Sequence, residues 1–199
     1  MLYLHYAFTA DPARAVRIDP YPRNSSTPIG FYTYSSQMRH TFAVGRPFIF
    51  VLRDLGTPLL SLAQVTQAEL PKLTARLAEI AGPGLAALQA RMTRRPDSVR
   101  SLARQHPGAM FYYLVTKIAP PGADADPDFR VSLDDPHVAD PRYATELFQA
   151  LGYGGISDTL GAMYSSEPEQ AVFFTLQHLQ LVEVMPNPKF DGRPLHLIT

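Results

Sequence analysis

The sequence predicts an α+β protein: a single domain over residues 1–199 whose sheet is assembled from the two ends of the chain, with helices in the middle. Three observations predict it. Short aromatic and β-branched runs fall before residue 52 and after residue 154. Between residues 60 and 118 apolar residues recur at three and four instead. At 199 residues the chain is long enough for one sizeable core and short for two.

Leu2 to Phe8 mixes aromatic and aliphatic side chains over a run that suits a half-buried pleated surface, and Asp11-Pro12 ends it, giving a first strand. From Asp19 to Pro28, three prolines, two serines and an asparagine predict a loop across one face. Ile29 to Tyr34 reads as a second strand, followed by a short helical stretch near Gln37 to Ala43. Pro47 opens a third strand, Phe48 to Leu52, whose unbroken hydrophobicity predicts burial on both faces.

Residues 60–118 read as a helical insertion. Leu70, Leu73, Leu77 and Ile80 form one apolar stripe, Leu85, Leu88 and Met92 another, and Met110, Leu114 and Val115 a third. Pro71, Gly82-Pro83-Gly84, Pro96 and Pro107-Gly108 divide the segment into several short helices. Residues 119–141 hold five prolines and six aspartates among few large apolar residues, which predicts an irregular surface connection. Asp140 and Pro141 then supply an N-cap and a first-turn proline. Tyr143, Leu147, Phe148 and Leu151 give that helix its buried stripe, and Gly152 its C-terminal glycine. Gly154-Gly155-Ile156 turns into a short strand, Ala171 to Leu176 makes another, and Leu179 to Met185 alternates as a half-exposed strand does.

Composition narrows the chemistry. Acidic and basic residues balance at 18 each, so no global field draws the protein to nucleic acid or to an anionic membrane. Absence of cysteine excludes disulfides, thiolate metal sites and cysteine nucleophiles. The six histidines never fall at i and i+4 on one helix, so no metal site is expected. Arg91, Arg94, Arg95, Arg100 and Arg104 read as a solvated helix face, because no aromatic residues interleave with them. There is no Gly-x-Ser-x-Gly elbow, no Gly-x-Gly-x-x-Gly loop and no Walker loop. The N-terminus lacks a basic region followed by an apolar core, and eighteen apolar residues never run together, so a soluble protein with no membrane partner is expected.

Two distant segments carry the functional signal: Gly30-Phe31-Tyr32-Thr33-Tyr34-Ser35-Ser36, and Ser166-Glu167-Pro168-Glu169-Gln170-Ala171-Val172-Phe173-Phe174. Together they offer aromatic rings, hydroxyls and carboxylates, a set suited to cleaving the nicotinamide–ribose bond of NAD. That reaction passes through an oxocarbenium-like transition state, which asks for a platform for the leaving base and a negative charge beside the sugar. Each residue also has a plain structural reading. His5 can be a satisfied strand histidine, Tyr32 and Tyr34 ordinary sheet aromatics sharing one face, and Glu167 and Glu169 solvated charges at the start of a strand. Ser35 and Ser36 can simply cap the next helical stretch.

The order His5, then Gly30-Phe31-Tyr32-Thr33-Tyr34-Ser35, then Glu169 at the head of an apolar strand resembles the His-Tyr-Glu signature of the ADP-ribosyltransferase fold. It is similar to the phage and prophage polyvalent branch and, more remotely, to diphtheria-toxin-like and poly(ADP-ribose) polymerase-like enzymes. Gly152-Tyr153-Gly154-Gly155-Ile156 resembles the Gly-Tyr-Asp-Gly-Ile turn shortly before the catalytic strand, with Gly154 replacing the Asp. Tyr6 stands where the family often has Gly, and Pro168 separates Glu167 and Glu169 in what resembles the Glu-x-Glu of arginine-modifying relatives. The resemblance implies two small packed antiparallel or mixed sheets forming an NAD cleft. It implies His5 on the ribose, Tyr32 stacked on nicotinamide, and Tyr6, Gly30, Tyr34 and Ser35 also lining the cleft. Glu169 would stabilise the oxocarbenium, with Glu167 assisting the acceptor. NAD is then a substrate, without a metal, and the acceptor is a macromolecule, a protein rather than a nucleic acid. The setting implied is a bacterial toxin, effector or phage protein acting in bacterial cytoplasm or a target cell's cytosol. NAD glycohydrolysis and a non-catalytic interaction module remain the other readings.

Overall fold

A computed structural model of the chain describes residues 1–18, 28–35, 45–93, 103–122, 138–157 and 170–190. Most of the 19–28 loop, the helical stretch near Gln37 to Ala43, Arg94, Arg95, Arg100, Ser36 and most of the 119–141 connection lie outside the described residues. So do Glu167 and Glu169.

The strands are β1 (Leu2–Ala7), β2 (Phe31–Tyr34), β3 (Phe48–Asp54), β4 (Leu59–Ser61), β5 (Gly155–Ser157), β6 (Gln170–Phe173) and β7 (Leu179–Pro186). They form one mixed seven-stranded sheet in the order β4-β5-β6-β2-β1-β3-β7, giving an α+β architecture. Only β4 and β5 are parallel; every other neighbouring pair is antiparallel. The expected pair of small sheets is therefore one continuous sheet, yet it has a seam. β1 pairs with β3 along its whole length, from Leu2 to Ala7, and β2 with β6 from Phe31 to Tyr34, but β1 and β2 are in register only at Leu4 and Tyr34.

The helices that lie wholly within the described residues are α1 (Pro12–Ala15), α2 (Leu70–Met92), α3 (Pro107–Lys117) and α4 (Pro141–Ala150). Asp11, expected only to end β1, caps α1 by accepting from the Ala13 amide, with Pro12 at the first helical position. Strand β4 and the 3-10 turn Leu62–Gln64 were not expected, because residues 59–64 fall at the edge of the helical periodicity. α2 runs through Gly82-Pro83-Gly84 instead of breaking there. Proline removes one amide and crowds the preceding turn, and the helix answers with a kink at Ala81 (φ −122°, ψ 32°). Ala81, four residues after Leu77, takes the inward place expected of Ile80, which is 41% exposed, and Leu85, Leu88 and Met92 continue the buried line. α3 is buried from Gly108 to Lys117, more than its expected stripe of Met110, Leu114 and Val115, because it lies in the centre of the helical layer.

That layer covers one face of the sheet. Leu60, Ile156, Val172 and Tyr32 form a row across β4, β5, β6 and β2, and all four belong to or pack against the core made by Leu77, Leu88, Phe111 and Phe148. The opposite face carries Tyr3, Phe31, Leu52 and Phe173, with Val16 and Ile18 from beyond α1 against it. Two glycines are fixed by close approach. A Cβ at Gly108 would collide with the Leu62 carbonyl, and one at Gly155 would lie 2.6 Å from the Val172 oxygen. α4 follows its sequence signals: the Asp140 carboxylate accepts from the Arg142 and Tyr143 amides at 2.8 and 2.9 Å, and Gly152 ends the helix at φ +93°. Asp140→Ala is expected to cost about 1 kcal/mol in chemical denaturation, since both amides lose their acceptor.

Candidate functional site

The seam gathers most of the residues singled out by sequence. Strand β1 carries His5 and Tyr6, β2 carries Tyr32 and Tyr34, and β6 begins at Gln170, the residue after Glu169. Register runs Leu4 to Tyr34 to Gln170, so segments more than a hundred residues apart in sequence come within two strand spacings, about 10 Å.

Alternation then divides their side chains between the faces. His5 lies with Phe31 and Phe50, its ring centroid 4.3 Å from that of Phe31 and 6.4 Å from that of Phe50. Its Nδ1–H tautomer donates to the Tyr32 carbonyl at 2.8 Å, which ties β1 to β2 where ladder bonds are few. Tyr32 points the other way, into the helical core, and its hydroxyl donates to the Pro28 carbonyl at 2.5 Å. Tyr34 shares that second face and is 7% exposed; its ring meets Tyr6 edge-on at 6.0 Å, and its hydroxyl accepts from Gln170 Nε2 at 3.2 Å. Gly30 serves packing, because a Cβ there would collide with Val172 and lie 3.0 Å from the Phe173 oxygen. Ser35 is half-buried at the end of β2.

The structure thus brings Tyr6, Tyr34 and Gln170 together on one face and holds His5 on the other, joined to Tyr32 through the main chain. Two further residues belong to this neighbourhood. Gln170 had one signal, its place directly after Glu169. Arg46 had none, since it stands ten residues beyond the end of the Gly30–Ser36 segment. Its guanidinium carbon lies 3.5 Å from the Phe8 ring centroid, and its carbonyl accepts from Asn187 Nδ2 at 2.7 Å. Burial lowers the Arg46 pKa while neighbouring Tyr34 opposes the shift, and the side chain stays charged.

Burial also lowers the pKa of His5 below 6.5; the Tyr32 carbonyl opposes this, the Arg46 charge adds to it, and the Ala15 backbone opposes it. An unfolded chain then binds more protons than the folded one below that value, so His5 makes the fold less stable as pH falls through 6.5. Melting curves from pH 7.5 to 5 should show a steeper acid loss for the native chain than for His5→Gln; equal slopes would remove His5 as the cause. Tyr112 in α3 is pushed far above the ordinary phenol range, first by burial and then by Tyr32, and stays protonated.

Among the described residues, no group of three or more His, Cys, Asp or Glu could hold a metal ion. Nor is any helix among them long and apolar enough to cross a membrane. A hollow of about 300 Å³ lies between the α2 kink, residues 119–122 and Tyr143, with Pro83, Pro120 and Pro121 in its walls and none of the sequence-nominated NAD residues among them. Comparison with family models, with curated proteins and with solved structures finds no match to this chain.

Proposed function

We propose that the chain is an NAD-dependent ADP-ribosyltransferase, which breaks the nicotinamide–ribose bond and passes ADP-ribose to a macromolecular acceptor. The single observation that carries the reading is the strand order β6-β2-β1. It makes neighbours of the strands bearing Tyr32 and Tyr34, His5, and the chain leaving Glu169, across a seam where β1 and β2 share the single register pair Leu4 and Tyr34. In this reading NAD lies along the seam. Tyr34 and Tyr6 offer rings and a hydroxyl, His5 sets the geometry of β2, and Glu169 faces the positive charge that develops on the sugar.

The test is direct. Incubation with NAD should release free nicotinamide, and labelled ADP-ribose should appear on an acceptor protein in a mixed extract. Release without labelling would mean a glycohydrolase, with water as the acceptor. No release with or without extract would overturn both.

A second reading has an observation of its own. His5 Nδ1 and the Tyr32 hydroxyl are both engaged by main-chain carbonyls, as in residues that hold a fold together. On that reading the chain is a non-catalytic module of the same frame that recognises a partner protein, and NAD would leave its melting temperature unchanged.

A further inference from the structure

β7 closes one end of the sheet, and among the described residues no strand pairs with its outer edge. Sheets usually blunt such an edge with lysines, prolines or short length. β7 is blunted only by a bulge opposite Val51 and Leu52 and by the terminal Pro186: it runs for eight residues, its one charge is Glu183, and Leu181 and Val182 at its middle are 38% and 46% exposed.

The run Leu179-Gln180-Leu181-Val182-Glu183-Val184 reads apolar, polar, apolar, apolar, polar, apolar in either direction. Antiparallel pairing with a second copy, Leu179 opposite Val184, therefore sets apolar against apolar throughout and Gln180 against Glu183. In a regular strand that register fails, because residues five apart lie on opposite faces and cross-strand partners must share one. The bulge removes the conflict. β3 pairs Leu52 with Leu181 and Val51 with Glu183, leaving Val182 as the extra residue. As a result Leu179, Leu181 and Val184 share the face of Asp54, Leu52 and Phe50, while Gln180 and Glu183 share that of Arg53 and Val51.

We propose that β7 is the contact edge of a two-fold dimer, in which two sheets join by antiparallel β7–β7 pairing centred between Leu181 and Val182. A second copy is the occupant because a strand matching its own reverse is what an isologous contact requires, and an unrelated peptide gains nothing from it. The dimer is independent of the NAD reading, since β3 and β1 stand between this edge and β2.

Sedimentation of the full chain from about 1 to 200 µM, a range suited to a small interface, should show the mass rising toward twice 22.1 kDa. Val182→Lys, which sets like charges beside the axis, should raise the dissociation constant about tenfold or more. The register has its own readout because the chain has no cysteine. Gln180→Cys combined with Glu183→Cys puts thiols opposite one another between copies, yet about 10 Å apart within one chain. Mild oxidation should trap a covalent dimer. Leu179→Cys alone, with its copies about 16 Å apart along the strands, should not. A monomer at every concentration overturns the proposal, as does a dimer that ignores Val182→Lys and escapes the cysteine trap. A monomer whose β7 amides resist hydrogen exchange overturns it too, since the chain's own residues would then cover the edge.

Discussion

Phe148→Ala is expected to remove about 3–5 kcal/mol of stability, read from urea or thermal denaturation. Phe148 is fully buried where three parts of the molecule meet. Its ring stacks on Phe174 beyond β6 at 5.6 Å and on Tyr112 at 6.3 Å, and it meets Phe111 edge-on at 6.5 Å. Truncation leaves a void that neither α3 nor α4 can close without giving up other contacts. Domains of this size are stable by only about 5–15 kcal/mol, so the variant should lose a large fraction of its stability. Phe148→Leu keeps most of the volume and should cost roughly half as much or less. A loss below about 1 kcal/mol for the alanine variant would contradict the described packing of α4 against the sheet.

Glu169→Ala is expected to lower nicotinamide release from NAD about 10²–10³-fold, the usual effect of deleting one group that stabilises charge in the transition state. The sequence expects Glu169 to be a solvated charge, which contributes little to a core, so the melting temperature should hold. Glu169→Gln keeps the shape and removes the charge, and should lose nearly as much activity. Activity retained by the glutamine variant would show that charge is not what the residue supplies, and activity retained by the alanine variant would remove Glu169 from the site.

These two substitutions sit at opposite ends of what the sequence reveals. Phe148 was legible: Asp140-Pro141, a stripe at helical spacing and Gly152 all point to one amphipathic helix, and local rules decide such a helix. β1, β3 and β7 were legible from local signals too: the aromatic and aliphatic mix of β1, the unbroken apolar run of β3 after Pro47, and the alternation of β7. Ile80 was assigned wrongly because the stripe continues from Leu77 by four residues, to Ala81, where a step of three was expected. β4 was invisible, three residues long and paired in parallel with a strand near the other end of the chain.

The candidate site divides in the same way. Sequence alone determined the α+β class and the strands at both ends, because each follows from local periodicity, capping and composition. Only the tertiary structure decided that β6, β2 and β1 are neighbours and that the sheet is one with a seam. It also decided that His5 and Tyr32 turn to opposite faces, that Arg46 and Gln170 join Tyr34, and that β7 is left as an open edge. Those outcomes depend on register between segments far apart in the chain, and a one-residue change in register moves every side chain of a strand to the other face.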